Sequence, residues 1–360
     1  MSAAKSPPAR RRRVAVLGAT GAVGQAFIRL LADHPWFELT ELAASERSAG
    51  KSYADAVRWI GGDAMPAKVR GMTVQPCDPN NISAEIVFSA LDSTAAQDAE
   101  PAFAHAGKVV LTNAKNYRMD PDVPLVIAEI NPSHLSVLEA QRRNRGWSGA
   151  IVANGNCASI VAALPLAPIH ERFGIANVFA VTMQAVSGAG YPGVPSLDIL
   201  GNVIPFIKDE EPKIETEIQK FLGTVEADTI RSAPFGVSAH ANRVAVEHGH
   251  TVCMSIALET RADARDVERA IAEWRGAEAA HGLPSAPDRP VLVADEPDHP
   301  QPRRHVGAGK GMTVVVGRVR SDPILDVKLV AMGHNIVRGA AGASVLNAEL
   351  MVHCGALAGS

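Results

Sequence analysis

The sequence predicts an α/β protein with a doubly wound parallel sheet at the N-terminus and an α+β domain after it. Three observations lead there. Short apolar runs alternate with amphipathic stretches up to about residue 155. A glycine-spaced turn, Gly18-Ala-Thr-Gly21-Ala-Val-Gly24, joins the first apolar run to the first helical stretch. Beyond that point the apolar runs lengthen and follow one another with few helices between. At 360 residues, 47% of them apolar, the chain is long enough for two domains with a core each.

In order along the chain, Val14 to Leu17 is the first strand. Val23, Phe27, Leu30 and Leu31 then recur at helical spacing, with Pro35 past the helix end. Strands are expected at Phe37 to Ala43, Glu85 to Leu91, Lys108 to Leu111 and Leu125 to Ala128, and at the apolar run Ile151 to Ala153. Helices are expected around Thr94 to Ala106 and Ser133 to Arg142. Later strands are expected at Val178 to Val186, Arg243 to Val246, His250 to Leu258, Met312 to Val319 and Ile324 to Val330. Later helices are expected at Glu215 to Leu222, Asp263 to Trp274 and Ile336 to Cys354. Residues 283–303 carry six prolines and are expected to form an extended loop. The division expected is a disordered tail at 1–10, a nucleotide-binding domain at 11–156 completed by a helix from 334–360, and a catalytic and dimerisation domain at 157–333.

Composition narrows the function. A net charge of −3 and 4% aromatic residues speak against nucleic acid or an anionic membrane as partner. No apolar run reaches the roughly 18 residues of a spanning helix. Arg10 to Arg13 before an apolar run resembles an export signal, but Gly18 and Gly21 break that run and Arg29 follows. The arginines are therefore read as solvated, leading into the first strand. Cys77, Cys157, Cys253 and Cys354 are widely spaced with no Cys-x-x-Cys, as expected of reduced thiols in a cytoplasmic protein.

The turn Gly18, Thr20, Gly21, Ala22, Val23, Gly24 follows a strand and opens a helix, the Rossmann-type context in which backbone approaches a pyrophosphate. The second strand leads into Ala44-Ser45-Glu46-Arg47-Ser48. The hydroxyls of Ser45 and Ser48 and the guanidinium of Arg47 suit the 2′-phosphate of NADP. Glu46 is a possible ribose partner and argues the other way, for NAD.

Asn156–Cys157 stands between two apolar runs, so the cysteine falls in the first turn of a helix. A helix N-terminus favours thiolate over thiol, and the thiolate is the nucleophile. A base is needed. In the segment Asn242 to Thr251, His250 shares the parity of Val252, Met254, Ile256 and Leu258, which places it on the buried side of a strand end. Cys253 has the opposite parity, so His248, His250 and Cys253 do not make a metal set and no metal is expected. Spacing alone leaves open whether Cys157 and His250 meet, and whether Arg243 is an anion anchor or a surface cation. A nucleotide turn plus an activated cysteine points to aldehyde oxidation or reduction through a thioester.

Several motifs, in order, resemble the archaeal and fungal branch of the aspartate-β-semialdehyde dehydrogenase family. They are Ala44-Ser-x-Arg-Ser-Ala-Gly-Lys51, Phe88-Ser-Ala-Leu-Asp92, Asn113-Ala-Lys-Asn-Tyr-Arg118, Asn154-x-Asn-Cys157, Gln184-Ala-x-Ser-Gly-Ala-Gly-Tyr-Pro-Gly193, Glu210-Glu-x-Lys213-Ile-Glu-Thr-Glu217, Gly249-His-Thr251 and His334-Asn-x-Val-Arg-Gly-Ala-Ala-Gly342. The resemblance spans residues 12–355. It implies a C-terminal α+β domain of the glyceraldehyde-3-phosphate-dehydrogenase-like type, a homodimer or homotetramer, and reduction of L-β-aspartyl phosphate to aspartate semialdehyde by NADPH. That step belongs to lysine, threonine, methionine and isoleucine biosynthesis.

By the same resemblance Cys157 is the nucleophile, His250 the general acid/base, and Gln184 orients the substrate. Arg243, Glu210, Lys213, Arg118 and Asn156 are implied to hold substrate, with Arg118 on the phosphate. Ser89, Leu91, Ser187, Gly188 and Asn335 are implied to lie against the cofactor. The chain departs from the family at Gly155, where proline is common, at Ala158 in place of serine, and at Val252 in place of glutamate. A related acyl-CoA reductase, such as malonyl-CoA reductase, and a non-catalytic nucleotide-binding relative are the alternatives. The Glu210 and Lys213 motif argues against the first, and the joint presence of Cys157, His250, Gln184 and Arg243 against the second.

Overall fold

Strands β1 (Arg12–Leu17), β2 (Phe37–Ala44), β3 (Val74–Pro76), β4 (Ile86–Ser89), β5 (Val109–Thr112) and β6 (Ala150–Ala153) form one sheet in the order β3-β2-β1-β4-β5-β6. Every pair is parallel. The computed structural model describes residues 5–357. β4, β5 and β6 are buried along their whole length, which is why they read as short uninterrupted apolar runs. The strand order reverses between β1 and β4, and this opens a crevice at their carboxyl ends.

The second sheet is mixed. β7 (Ile175–Gln184), β10 (Gly236–Arg243), β11 (His250–Leu258), β12 (Val291–Ala294), β13 (Val314–Ser321) and β14 (Val327–Gly333) stand in the order β10-β7-β11-β14-β13-β12. The outer pairs are parallel and the inner ones antiparallel. A small hairpin, β8 (Thr224–Glu226) with β9 (Thr229–Arg231), stands apart. The helix Cys157–Phe173 leaves β6 and runs between the sheets. Its Ile160 and Leu164 share one core with Val87 and Ile151 on one side and Val252 and Leu329 on the other. The helix Gly342–His353 returns to the first sheet, where Leu346, Leu350 and Met351 bury with Val14, Phe27 and Phe88.

Several expectations are corrected. Leu125 to Ala128 is not a strand: only Leu125 bridges to Ala153, and the Ile127 N–H is taken by the Asn131 side chain at 2.8 Å. Within the expected loop 283–303, Val291–Ala294 adds an edge strand, because Pro290 and Pro297 flank the run without interrupting it. The strand expected at Arg243 to Val246 instead ends at Arg243. The helix expected from Glu215 starts at Glu210, since Pro212 is tolerated in a first turn. The C-terminal helix is interrupted by a π-helical stretch, Val337–Ala341. Of the expected tail, residues 1–4 lie outside the described residues, as do 358–360. Lys5 is tied down, its Nζ donating to the Ala279 carbonyl at 2.8 Å.

Candidate active site

The cofactor crevice is made of backbone. Gly18 adopts φ +68°, and a Cβ there would lie 2.5 Å from the Ala90 carbonyl oxygen on the neighbouring β4 turn. A Cβ on Gly24 would lie 2.3 Å from the Gly18 carbonyl oxygen, so the turn and the helix close on each other only as glycines. No side chain caps the helix Ala22–Leu31, whose N-terminus therefore faces the crevice with its own N–H groups. A cavity of about 830 Å³ is lined by Gly18, Thr20, Gly21, Ser45, Glu46, Cys77, Asp78, Leu91 and Asp92. Arg47 is exposed and Ser48 half-buried on the same turn, while Ser89 is buried at the end of β4. A second cavity of about 740 Å³ is lined by Ala22, Gln25, Arg29, Ser187, Tyr191, His248, His334 and their neighbours. Asn335 Nδ2 donates to Ser187 Oγ at 2.8 Å, and Gly249 N–H donates to Asn335 Oδ1 at 2.9 Å. Gly188 is exposed but borders the catalytic side chains: a Cβ there would be 2.9 Å from Arg243 Nη1 and 3.1 Å from His250 Cε1.

The nucleophile's position follows from Asn156. Its Oδ1 accepts from the Ala158 and Ser159 N–H groups at 2.9 and 3.1 Å, making it the N-cap of the helix that Cys157 begins. Its Nδ2 donates to Glu210 Oε1 at 2.7 Å, and its backbone N–H donates to Glu217 Oε2. The Asn156 side chain is thus engaged on both ends. Gly155 is explained as well: a Cβ there would meet the Phe221 ring at 2.2 Å, so that ring fills the space a larger residue would need.

Cys157 Sγ lies 3.0 Å from His250 Nε2. The Ala185 N–H donates to His250 Nδ1 at 3.0 Å, which puts the ring proton on Nε2, facing the sulfur. Burial pushes the imidazole down to about 3, so it is neutral at physiological pH. Burial also pushes the Cys157 thiol up to about 12, and the Glu210 charge adds to this against Lys213, Arg118 and Arg243. Cys157 as a whole residue is half-buried. The helix N-terminus favours thiolate, but Asn156 Oδ1 already takes the Ala158 and Ser159 N–H groups, and burial pushes the thiol the other way.

Three strand ends supply the partners. Gln184 closes β7 and stands beside Arg243, the last residue of β10, in parallel register. His250 opens β11, antiparallel to β7. Arg243 Nη1 donates to the Ala185 carbonyl at 2.8 Å. Burial pushes the Glu210 carboxyl up, but the Lys213 charge and the hydrogen bonds from Lys213, Asn156 and Gln184 outweigh it and hold the group below the ordinary range. Arg118 is buried, donating to Glu217 Oε1 at 2.8 Å and to the Asn113 carbonyl at 2.7 Å.

The profile described as "Semialdehyde dehydrogenase, NAD binding domain" matches residues 13–138, and "Semialdehyde dehydrogenase, dimerisation domain" matches 166–338. Aspartate-semialdehyde dehydrogenase of Archaeoglobus fulgidus is 49% identical over 342 residues, covering 95% of this chain and 98% of that one. The chain belongs to the aspartate-semialdehyde dehydrogenase family. The Schizosaccharomyces pombe relative is 46% identical, with 96% of this chain and 99% of that one covered. The crystal structure of aspartate semialdehyde dehydrogenase with NADP from Candida albicans superposes with a TM-score of 0.89 at 41% identity, over 96% of this chain and 100% of that one. A Vibrio cholerae aspartate semialdehyde dehydrogenase II complexed with ASA gives 0.74 at 28% identity, over 96% and 99%.

Sequence reasoning missed several residues of this dehydrogenase site. Arg29, His248 and His334 line the cavity beside Ser187. Ala185 contributes only backbone, which leaves no trace in residue type. Glu217 had a signal: it stands seven residues after Glu210, on the same helical face as Lys213.

Proposed function

We propose that this chain is an NADPH-dependent aspartate-semialdehyde dehydrogenase that works through a thioester on Cys157. The observation that carries the reading is the 3.0 Å approach of Cys157 Sγ to His250 Nε2, at a sulfur on which the charges of Arg243, Glu210 and Lys213 all act. A cation and an anion near the sulfur suit the carboxylate and ammonium of an amino-acid substrate. The glycine turn fits a dinucleotide pyrophosphate, because a Cβ at Gly18 or Gly24 would strike backbone oxygen and force the turn off its neighbours.

In this reading Cys157 Sγ attacks the carbonyl carbon of β-aspartyl phosphate, the thiol proton passes to the departing phosphate as its carbon–oxygen bond breaks, and inorganic phosphate leaves toward Arg118. NADPH, when bound, supplies hydride. His250 Nε2–H donates to the carbonyl oxygen as charge builds there. With the Ala158 and Ser159 N–H groups engaged by Asn156, much of that stabilisation falls to His250. The carbon–sulfur bond then breaks and the aldehyde departs. Arg243 takes the substrate carboxylate, Glu210 its ammonium, and Gln184 orients it.

The further parts of the reading are structural. The nucleotide-binding domain is 11–156 with the C-terminal helix, and 157–333 is the catalytic and dimerisation domain. Exposed Leu197, Leu200, Val203 and Phe206 suit a homo-oligomer, dimer or tetramer, and a biosynthetic dehydrogenase fits the cytoplasm. The test is NADP reduction with L-aspartate semialdehyde and phosphate, beside a CoA-dependent assay with malonate semialdehyde. Turnover in the first alone is expected. Turnover only in the second would move the chain to the acyl-CoA reductases.

A further inference from the structure

We propose that Glu217 is a positioning residue that gauges the distance between the phosphate-side arginine and the nucleophile. This rests on the roles given above to Cys157 and Arg118. Glu217 is 1% exposed and projects from the helix Glu210–Phe221. One carboxylate oxygen accepts from Arg118 Nη1 at 2.8 Å. The other accepts from the backbone N–H of Asn156, the residue before Cys157. A single rigid group therefore spans the two halves of the reacting site. Hydrogen bonds to a charged acceptor in a buried setting are the strong ones, so this span is stiff.

The same helix fixes the rest of the frame. Lys220 Nζ donates to the carbonyls of Arg118 and Asp120 at 2.6 Å each and of Val123 at 2.9 Å, tying the Arg118 segment to the helix. The Phe221 ring seats Gly155, and Glu210 takes Asn156 Nδ2. Arg118 is left with a buried Nε that has no hydrogen-bond partner. With Nη1 on Glu217 and Nη2 on the Asn113 carbonyl, these two contacts set where the guanidinium stands. A plainer role, neutralising a buried arginine, makes no demand on the Asn156 side.

Glu217→Gln and Glu217→Ala in the full-length chain separate these. Glutamine keeps an acceptor for the Asn156 N–H but turns an amide group toward Arg118. It is expected to raise KM for phosphate about tenfold, while leaving iodoacetamide alkylation of Cys157 within about twofold of wild type. Alanine removes both contacts. It is expected to lower kcat about 100-fold further and to change both the rate and the pH profile of Cys157 alkylation, with the NADP Kd within about twofold. Equal losses in the two variants, or a wild-type alkylation profile and wild-type kcat per folded molecule in Glu217→Ala, would overturn the proposal. If the alanine variant yields no folded protein, the isosteric glutamine decides, and an unchanged KM for phosphate sinks the idea. Alkylation needs no substrate, so it judges Glu217 even if the wild type fails to turn over aspartate semialdehyde, a failure that would count against the proposed activity instead.

Discussion

The cofactor crevice and the catalytic centre adjoin one another but are made of different material. The crevice is built on backbone turns, a left-handed Gly18, a helix whose N-terminus no side chain caps, and the turns after β2, β3 and β4. The catalytic centre is side chains drawn from distant elements: Arg118 from a loop, Asn156 and Cys157 from a helix start, Gln184, Arg243 and His250 from three strand ends, and Glu210 and Glu217 from one helix. Most of these are buried and already bonded to one another. A site of the first kind fails when a Cβ intrudes, whereas one of the second kind fails when a partner is lost and a buried polar group is left unmet.

The largest effects belong to the side-chain region. Cys157→Ser is expected to lower kcat by about 10³-fold or more, since a hydroxyl is a far weaker nucleophile, while NADP titration gives the wild-type Kd. Substantial residual turnover would end the covalent reading. In the wild type the alkylation rate of Cys157 is expected to go on rising well past pH 9, because burial holds the thiol near 12. Arg243→Lys keeps the charge and loses the planar fork. A loss of about 2–4 kcal/mol in kcat/KM for aspartate semialdehyde is expected, with an aldehyde lacking the carboxylate handled about equally poorly by both forms. Wild-type efficiency in the variant would place the carboxylate anchor elsewhere.

This difference in material also explains what the sequence disclosed. The crevice was legible because its glycines, strand and helix are contiguous, and backbone geometry is written in residue type. In the second sheet, the parity of His250 with Val252, Met254 and Ile256 was enough to put it on the buried side, where the structure has it. Its meeting with Cys157, 93 residues away, depends on how β11 is set against the helix from β6, which no local pattern encodes. The thiol's surroundings divide the same way: the helix that favours thiolate is local, while the burial that pushes the thiol up comes from distant elements. Leu125 to Ala128 has the composition of a strand, yet its amides go to Ala153 and to the Asn131 side chain.

One substitution of the same kind in each region sharpens the comparison. Gly18→Ala forces a side chain into a left-handed backbone and 2.5 Å from a carbonyl oxygen. Gly155→Ala drives a methyl to 2.2 Å from the Phe221 ring. Each is expected to cost about 1–3 kcal/mol of stability in thermal or urea unfolding. Their functional losses should part: Gly18→Ala weakens NADP binding, and Gly155→Ala lowers kcat with NADP binding intact. If both changes struck the same parameter, the two regions would be one mechanical unit.

The smallest effect is expected at Arg47, where the crevice does rely on a side chain. It is exposed on the turn after β2, and the adjacent Ser45 and Glu46 line the cavity. Its proposed partner is the 2′-phosphate, which distinguishes NADP from NAD. Because the guanidinium is solvated, its pairing is screened and worth less than a buried one. Arg47→Glu replaces attraction by repulsion, so selectivity should move through both terms. We expect the NADP Kd to rise about tenfold and the NAD Kd to change by less than about twofold, read by titrating both cofactors against both proteins at fixed ionic strength. Raising the salt concentration should shrink the difference. Equal losses for the two cofactors would mean that Arg47 holds the adenine end or the turn itself, and selectivity would then have to come from Ser45 and Ser48.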